Sequence, residues 1–258
     1  MRAAWLTAGA VVTVVALLIS SVLIWRGFAR ARTPVDTALR SIPFTKDKVR
    51  IAAASGQVDL FIVPGQAGEL LIQRTLRWSR DRPTVTEDWN AADSALRLEA
   101  VCPRADQPDG PICRAEYVIT VPPETDLVAG TTKGVLAVNE AFGSLRLTSV
   151  SGDIRLHDVA GSLWARTGTG SIEGEGLDGD AADVEAGSGR VHLSFTSPPT
   201  SVRAVVRTRG DITVGVPDGT YNVAVDATNS SIGIKRDRES PRKIVATTTD
   251  GSVSLFHH

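Results

Sequence analysis

The stretch Gly152-Asp-Ile154-Arg-Leu156 is the first copy of a motif, Gly-x-(Val/Ile)-x-(Leu/Val), that decides the fold of this chain. The motif returns, with some variation, as Gly170-Ser-Ile172-Glu-Gly174, Gly189-Arg-Val191-His-Leu193, Gly210-Asp-Ile212-Thr-Val214 and Gly251-Ser-Val253-Ser-Leu255, with a degenerate copy at Ser230-Ser-Ile232-Gly-Ile234. By subtraction of residue numbers, successive copies begin 18, 19, 21, 20 and 21 residues apart. A period of about twenty residues, built from strands and glycine turns, is typical of a β-solenoid.

The two-residue period of a β-strand predicts which side chains of each copy point inward. We expect the second and fourth residues after each motif glycine to form one wall of the core: Ile154, Leu156, Ile172, Gly174, Val191, Leu193, Ile212, Val214, Ile232, Ile234, Val253 and Leu255. A preceding strand closes the other wall with Leu145, Leu147, Leu163, Val184, Val205 and Val225. Each glycine then marks the corner between the two strands, where successive rungs approach closely.

The predicted fold is all-β, a β-solenoid (β-helix) with an irregular N-terminal β-sheet cap, preceded by one transmembrane helix. Residues 1–32 are expected to be a transmembrane anchor with flanking arginines, and residues 33–46 a linker with one short helix over Val35 to Ile42. Alternating apolar runs, cut by prolines, predict the β-sheet cap over residues 47–125. The solenoid repeats then occupy residues 126–258.

The apolar run from Ala3 to Trp25 holds no charged residue and is long enough, as a helix, to cross a bilayer. The alternative is a cleaved signal peptide, with Ala29-Arg-Ala31 as its small-x-small cleavage site. The run is longer than an ordinary signal core, and Arg26 separates it from that site. We therefore expect residues 3–25 to bind the lipid bilayer as an uncleaved anchor.

Two arguments about membrane orientation disagree. Arg26, Arg30 and Arg32 follow the apolar run, which by the positive-inside rule would hold the large domain in the cytoplasm. Cys102 and Cys113, however, flank one short proline-rich stretch, and such a pair suits a disulfide formed in an oxidising compartment. We favour a single-pass membrane protein with an extracytoplasmic domain, because large domains translocate largely regardless of flanking charge.

The part of the chain after the apolar run is acidic overall. Four of the 28 basic residues lie within residues 1–32, so 24 basic residues remain against 29 acidic ones, a net charge of −5. This balance supplies no basic footprint for nucleic acid, and we expect no nucleic-acid partner. No motif indicates a cofactor, a metal site or a catalytic centre, and we expect none.

Several of these features together resemble the bacterial DUF4097 family, whose members are also called adhesins on the basis of their architecture. They are the N-terminal apolar run, the strand-rich opening that ends in Tyr117-Val-Ile-Thr-Val121-Pro122, and the rungs Ser149-Val-Ser-Gly152-Asp-Ile-Arg-Leu156 and Thr167-Gly-Thr-Gly170-Ser-Ile. The resemblance covers roughly residues 47–256. It implies a β-helical protein of the cell envelope, and it transfers no catalytic residue.

The outward positions of successive rungs suggest one catalytic alternative. Arg155, Glu173 and His192 form an exposed charge ladder, and Glu175 lies beside Glu173 on the same face. Paired carboxylates on such a face would suit a carbohydrate-active hydrolase or lyase. The competing interpretation is a solvated face of alternating charge, which we favour because no long loop is available to build a water-excluding pocket.

Two other surfaces are candidates for interaction. Trp78 and Trp89 flank an arginine-rich hairpin region and could either form a binding patch or cover the core of the cap. Ser254 and Phe256 lie in the last rung, which we expect to be an open end of the solenoid and a site of association, either with a second copy in a homo-oligomer or with a partner strand.

These features predict a non-catalytic, membrane-anchored envelope protein that acts as an adhesin-like interaction or scaffold module on an unknown protein or polysaccharide. The alternatives are the hydrolase or lyase and a cytoplasm-facing, self-assembling solenoid.

Overall fold

The computed structural model describes residues 15–25, 33–102 and 112–257, with no side-chain placement for Ser55. Residues 15–25 are helical, and the chain from Val35 onward forms a separate compact unit. Within the described ranges, no helix has the length and apolar character needed to cross a membrane. Residues 3–14 of the predicted span lie outside the described residues, as do the arginines that follow it.

The compact unit consists of β-strands. In chain order they are β1 Val35–Phe44, β2 Lys48–Pro64, β3 Gly68–Trp78, β4 Thr84–Asn90, β5 Ala95–Val101, β6 Cys113–Val121, β7 Asp126–Lys133, β8 Leu136–Asn139, β9 Leu145–Ser151, β10 Ile154–His157, β11 Leu163–Thr169, β12 Ile172–Leu177, β13 Ala181–Ser188, β14 Val191–Phe195, β15 Ser201–Arg209, β16 Ile212–Val216, β17 Thr220–Asp226, β18 Asn229–Ile232, β19 Lys235–Arg236, β20 Lys243–Asp250 and β21 Ser252–His257.

The strands form two faces of a solenoid, here called sheet A and sheet B. Sheet A runs in the order β1, β3, β6, β2, β8, β10, β12, β14, β16, β21, β18. Sheet B runs in the order β4, β5, β2, β7, β9, β11, β13, β15, β20, β17. From β2 to the far end the pairing within both sheets is parallel, which confirms the predicted solenoid.

The core lies between the two sheets. The predicted inward residues of the motif copies are buried, except Ile232, which is only partly buried at the end of the stack. On the other wall, the prediction for Val205 is wrong: Val202, Ala204 and Val206 are the buried residues of that strand. Because side chains alternate along a strand, a one-residue error in register moves Val205 to the outer face.

The motif glycines stack at one corner, as predicted. A Cβ added to Gly170, Gly189 or Gly210 would lie 2.4, 2.1 or 1.8 Å from the carbonyl oxygen of the preceding glycine in the stack. Gly152 and Gly251 are in the same row, which begins one rung earlier at Gly134. The corner therefore accepts only glycine, because one rung's backbone occupies the place of the next rung's side chain.

The order of the last rungs differs from the prediction. Strand β21 pairs with β16 on one side and with β18 on the other, so the C-terminal rung is inserted inside the stack. The end is instead formed by β17 and β18, with the short β19 beside the start of β17. The degenerate copy is therefore out of register, since Ser230 lies opposite Val253 rather than opposite Gly251.

The N-terminal cap combines antiparallel and parallel pairing: β1 with β3, β3 with β6 and β4 with β5 are antiparallel, whereas β2 pairs in parallel with β5 and β6. Residues Val35–Phe44, predicted to lie in a linker with a short helix, form strand β1, which pairs with β3 along its whole length. The helix prediction is wrong because Ile42 and Phe44 bury their side chains at two-residue spacing. Strand β2, within the predicted cap, bends between the two sheets and pairs with β7 and β8, so the cap is continuous with the solenoid, as expected.

Candidate functional site

The outer face of sheet B carries a cluster built around Trp164, which we call the arginine–tryptophan cluster. The guanidinium carbons of Arg146 and Arg166 lie 3.8 and 4.5 Å from the centroid of the Trp164 ring. Arg146 is the partner of Trp164 on the neighbouring strand β9, and Arg166 follows it by two residues on β11. A flat sheet thus holds an indole beside two cations, an arrangement stabilised by cation–π attraction.

Two carboxylates extend the cluster across the next rungs. Arg166 donates to Asp183 at 2.8 Å, and Arg203 donates to the other oxygen of the same carboxylate at 3.0 Å. Glu185, on the same strand as Asp183, forms an ion pair with Arg207 and lies 3.6 Å from both Arg166 and Arg203. The result is a fixed network of alternating charge over strands β11, β13 and β15.

The carboxylates of this network are held in their charged form. Burial acts to raise the pKa of Asp183, but hydrogen bonds from Arg166 and Arg203 outweigh it and lower the pKa from its ordinary value. The hydrogen bond from Arg207 lowers the pKa of Glu185 in the same way. Groups held ionised by guanidinium partners are suited to binding and to fixing the face, not to proton transfer near neutral pH.

The sequence reasoning did not find this cluster, although its signal is present. Arg146, Trp164, Asp183 and Arg203 occupy equivalent positions in consecutive rungs, 18, 19 and 20 residues apart by subtraction. That period is the period of the motif glycines. The signal therefore lies in the outward positions of the strand before each glycine, whereas the predicted charge ladder lies in the strand after it.

The charge ladder predicted on the other face is present on the outer face of sheet A. Arg155 lies opposite Glu173 on the next strand, and Glu173 lies opposite His192. The Arg155 Nε atom is 3.7 Å from a Glu173 oxygen, and both side chains are about half exposed. Glu173 and Glu175 share the outer side of β12, so the predicted juxtaposition exists on a flat row of exposed strands.

The two candidate tryptophans lie on different sheets. Trp78 ends strand β3 of sheet A, opposite Cys113, whereas Trp89 is on β4 of sheet B, opposite Leu96. Both are partly buried against the core, and Trp89 packs edge-on against Phe44 at 6.4 Å between ring centroids. This placement favours the interpretation in which they cover the core of the cap; their role in interaction stays a prediction.

A polar cluster lies inside the cap between the two sheets. Arg74 of β3 donates to Glu87 of β4 at 2.8 Å, and the Tyr117 hydroxyl donates to the same Glu87 oxygen at 3.3 Å. Burial and the Glu87 charge together raise the pKa of Tyr117 well above its ordinary value. The cluster ties sheet A to sheet B at the end of the stack where their strands separate.

The two cysteines form the predicted disulfide. Cys102 follows β5 and Cys113 begins β6, and their Cα atoms are 5.8 Å apart. The bond closes the corner between the strands of one capping rung. Residues 103–111, which it spans, lie outside the described residues.

Ser254 and Phe256, predicted to lie on an open edge, are in the inserted rung. Ser254 lies between Thr213 and Ser231, paired on both sides, and Phe256 lies opposite Gly215. The prediction that this rung has an open edge is therefore wrong for its paired residues. Their backbone groups already bond to neighbouring strands and are not available for self-association.

Comparison with known proteins supports the same fold. A structure of a "putative adhesin" from Bacteroides fragilis is 17% identical, with a TM-score of 0.52, and the match covers 85% of this chain and 97% of that one. A "putative lipid binding protein" from Parabacteroides distasonis (11% identical, TM-score 0.43, 86% and 97% covered) and a "putative adhesin" from Parabacteroides merdae (14%, 0.42, 86% and 96%) are more distant in shape.

No curated protein is similar enough to this sequence to match it. The model of the family described as Toastrack DUF4097 matches residues 109–258, which is more than half of the chain. The matched segment contains the parallel rungs, the stacked glycines and the arginine–tryptophan cluster. The chain therefore belongs to the Toastrack DUF4097 family.

Proposed function

We propose that this protein is a non-catalytic, adhesin-like binding module of a bacterial cell envelope, anchored in the membrane by its N-terminal apolar segment. The observation that carries the proposal is the outer face of sheet B, where Arg146, Trp164 and Arg166 form a fixed cluster on a flat surface. Arginine and tryptophan are enriched among the residues that dominate binding energies at protein interfaces. A flat face suits binding to an extended partner.

The disulfide supports a position outside the cytoplasm. A bond between Cys102 and Cys113 persists in an oxidising compartment, whereas cytosolic thiols are normally kept reduced. The net charge of −5 after the apolar segment keeps the large unit soluble there. The name of the Bacteroides fragilis neighbour, a "putative adhesin", agrees with this role, but the proposal does not rest on it, because fold alone does not imply function.

The geometry of the outer faces supports a non-catalytic role. Glu173 and Glu175 lie on an exposed strand row, where water has free access to both carboxylates. Glycoside hydrolysis requires two carboxyl groups on opposite sides of a bound sugar, usually in a cleft that positions the bond. Two residues on one side of one strand do not provide that arrangement.

The proposal is tested with the full-length chain, solubilised in detergent and mixed with a bacterial cell-envelope preparation. We expect sedimentation with the envelope, and a loss of most of that retention in a Trp164→Ala/Arg166→Ala variant. Arg155→Ala on sheet A is the matched control and should retain binding. Equal retention of all three proteins would contradict the proposal.

The same preparation separates binding from catalysis. Release of soluble sugar fragments that disappears in a Glu173→Gln/Glu175→Gln variant would establish the hydrolase alternative instead. We expect no such release, and we expect the double glutamine variant to bind as the unaltered protein does.

A further inference from the structure

We propose that the far end of the solenoid joins a second copy of this chain, through antiparallel pairing of strand β17 with the β17 of that copy. Sheet B ends at β17, which pairs with β20 along Asn222–Asp226 and with the short β19 only at Thr220 and Tyr221. The inference is independent of the proposed envelope binding, because it concerns the edge of sheet B and not its outer face.

The backbone of β17 has partners on both of its sides only at its start. The Asn222 N–H donates to the Arg242 carbonyl oxygen next to β20, whereas the Tyr221 carbonyl oxygen accepts from the Asp237 N–H on the other side. In a parallel strand both backbone groups of a residue point to the same side, and successive residues alternate. The even-numbered residues of β17 therefore bond toward β20, and the odd-numbered ones point away from it.

Beyond Tyr221 this outer side of β17 has no partner strand among the described residues. The N–H and C=O groups of Val223 and Val225 lie there, between β19 at one end and the bend at residues 227–228 at the other. Residues 222–226 are called the open edge below. A row of unpaired backbone groups of this kind is a template for pairing with another chain.

The hydrophobic core is also incompletely covered at the open edge. The side chains of Val223 and Val225 lie one strand beyond Ile244 and Ala246, which are fully buried. Val223 and Val225 pack against the same core but are only partly buried, as is Ile232 on the neighbouring strand β18. A strand added to the open edge would cover both valines and lengthen the core by one row.

The opposite end of the solenoid is closed by charged side chains. Arg74 lies between the two edge strands there, 3.5 Å from Asp36 of β1 and 2.8 Å from Glu87 of β4. Charged residues that point inward at an edge oppose its pairing with another chain. The open edge has Val223 and Val225 at its inward positions, so we expect association at this end of the molecule.

The open edge is complementary to itself. It is five residues long, so antiparallel pairing about a two-fold axis places Ala224 opposite Ala224 of the second copy. Val223 then lies opposite Val225 of that copy, and each such pair exchanges two backbone hydrogen bonds and joins two β-branched side chains. The bend that follows Asp226 turns the second chain away before it reaches β19.

The charges at the two ends of the open edge favour this antiparallel arrangement. Residues 235–243, which lie beside the start of β17, contain five basic and two acidic side chains, and Asp218 precedes the strand. The other end of the open edge carries the exposed Asp226. Antiparallel pairing places Asp226 of each copy opposite Asn222 of the other, beside the basic segment, whereas parallel pairing would bring like ends together.

One added cysteine tests the register of the pairing. The Ala224→Cys variant has a single free thiol, because the two native cysteines are bonded to each other. Since Ala224 bonds toward β20, it would form a non-hydrogen-bonded pair with its equivalent, with Cα atoms about 4.5 Å apart, within the range of a disulfide. Mild oxidation of the full-length chain, in membranes and in detergent, should give a covalent dimer.

Val245→Cys is the matched control for the cross-link. Val245 is the neighbour of Ala224 on β20 and lies on the same face of sheet B. In the proposed dimer the two copies of this residue would be about 14 Å apart, which is too far for a disulfide. It should therefore give little covalent dimer under the same conditions.

A proline tests the backbone pairing separately. Val225→Pro removes an N–H that points away from β20 and leaves the bonds made by the even-numbered residues in place. The dissociation constant of the detergent-solubilised dimer, measured by analytical ultracentrifugation, should rise about tenfold or more, because each dimer loses two donors. Val225→Ile keeps both the N–H and an apolar side chain and should dimerise as the unaltered protein does.

Three results would overturn the inference. The first is a monomer at all concentrations, without cross-linking of Ala224→Cys. The second is a dimer that Val225→Pro leaves intact and Ala224→Cys does not cross-link, because the chains would then associate elsewhere. The third is cross-linking of Ala224→Cys to a different envelope protein alone, which would replace the second copy as the occupant. None of these results changes the expected envelope retention through Trp164 and Arg166.

Discussion

Gly251 of the last strand stacks directly on Gly210, although a complete rung of chain separates the two in sequence. A Cβ on Gly251 would lie 2.1 Å from the Gly210 carbonyl oxygen. The C-terminal rung is therefore clamped between strands β15 and β16 on one side and β17 and β18 on the other. Strands β20 and β21 therefore hold the neighbouring strands of this part of the solenoid together on both sides.

Truncation of the chain after Arg242 removes one rung, and it should also destabilise the strands on both sides of that rung. Strands β17 and β18 lose the partners that hold them, and the apolar row of β15 and β16 becomes exposed to water. We expect a lower melting temperature and increased protease cleavage between residues 217 and 242. A chain that ends at Phe256 is the control and should melt close to the intact protein; similar melting of both truncated chains would contradict the inserted rung.

A single methyl group added at the glycine corner should greatly reduce the stability of the fold. Gly210→Ala places a Cβ 1.8 Å from the Gly189 carbonyl oxygen at a backbone angle of φ +148°, so two rungs must separate. We expect a loss in the free energy of unfolding of about 3 kcal/mol or more, measured by chemical denaturation.

Gly68→Ala is the matched control for backbone strain. Gly68 also has a positive φ, +95°, but an added Cβ meets no atom within 4 Å. Strain alone should cost about 1 to 2 kcal/mol. Equal losses at Gly68 and Gly210 would show that contact between rungs does not set the glycine requirement.

Tyr117 should make the protein less stable in alkali. Its pKa is raised in the folded state, so the folded protein holds this proton more tightly than the unfolded chain does. The contribution is fully present below the unfolded value, about pH 10, and falls as the pH rises above it. Tyr221, whose pKa burial also raises, should add a similar trend.

The measurement is the unfolding free energy as a function of pH between about 9 and 11.5, where tyrosine titrates. Tyr117→Phe should show a shallower decline than the unaltered protein, whatever its stability at neutral pH. A decline of the same steepness would mean that Tyr117 does not retain its proton in the folded state.

The sequence predicted the parts of the fold that repeat, and it failed where repetition stops. The motif glycines and the inward aliphatic residues recur about every twenty residues, so the register of most rungs could be predicted from their spacing. The order of the last two rungs could not be predicted, because spacings of 20 and 21 residues are equally compatible with either order. The position of a rung in the stack is decided by its contacts with other rungs, and the spacing of the motif along the sequence does not reveal those contacts.

The arginine–tryptophan cluster was missed for a related reason. In the sequence Trp164 is an isolated aromatic residue, because its partners Arg146 and Asp183 lie a full rung away along the chain. Only the stacking of rungs brings these side chains together. The disulfide, in contrast, was predictable because two cysteines separated by 11 residues can close one short loop without knowledge of the fold.

The disulfide should stabilise the cap by about 3 kcal/mol, the loop-closure value for a loop of this size. Cys102→Ser/Cys113→Ser should lower the unfolding free energy by that amount, and reduction of the unaltered protein should have the same effect. Reductant added to the double variant is the control and should change nothing. A double variant as stable as the oxidised protein would show that the bond does not constrain the cap.

The central claim, that the large unit is an extracytoplasmic module, is tested most directly by thiol labelling of intact cells that express the full-length chain. A membrane-impermeant maleimide should label Cys102 and Cys113 only after an impermeant reductant has been added. A single reporter, Arg155→Cys in the Cys102→Ser/Cys113→Ser background, places one exposed thiol on sheet A and should be labelled from outside without reductant. Labelling of that reporter only after the cells are lysed would place the unit in the cytoplasm and contradict the account.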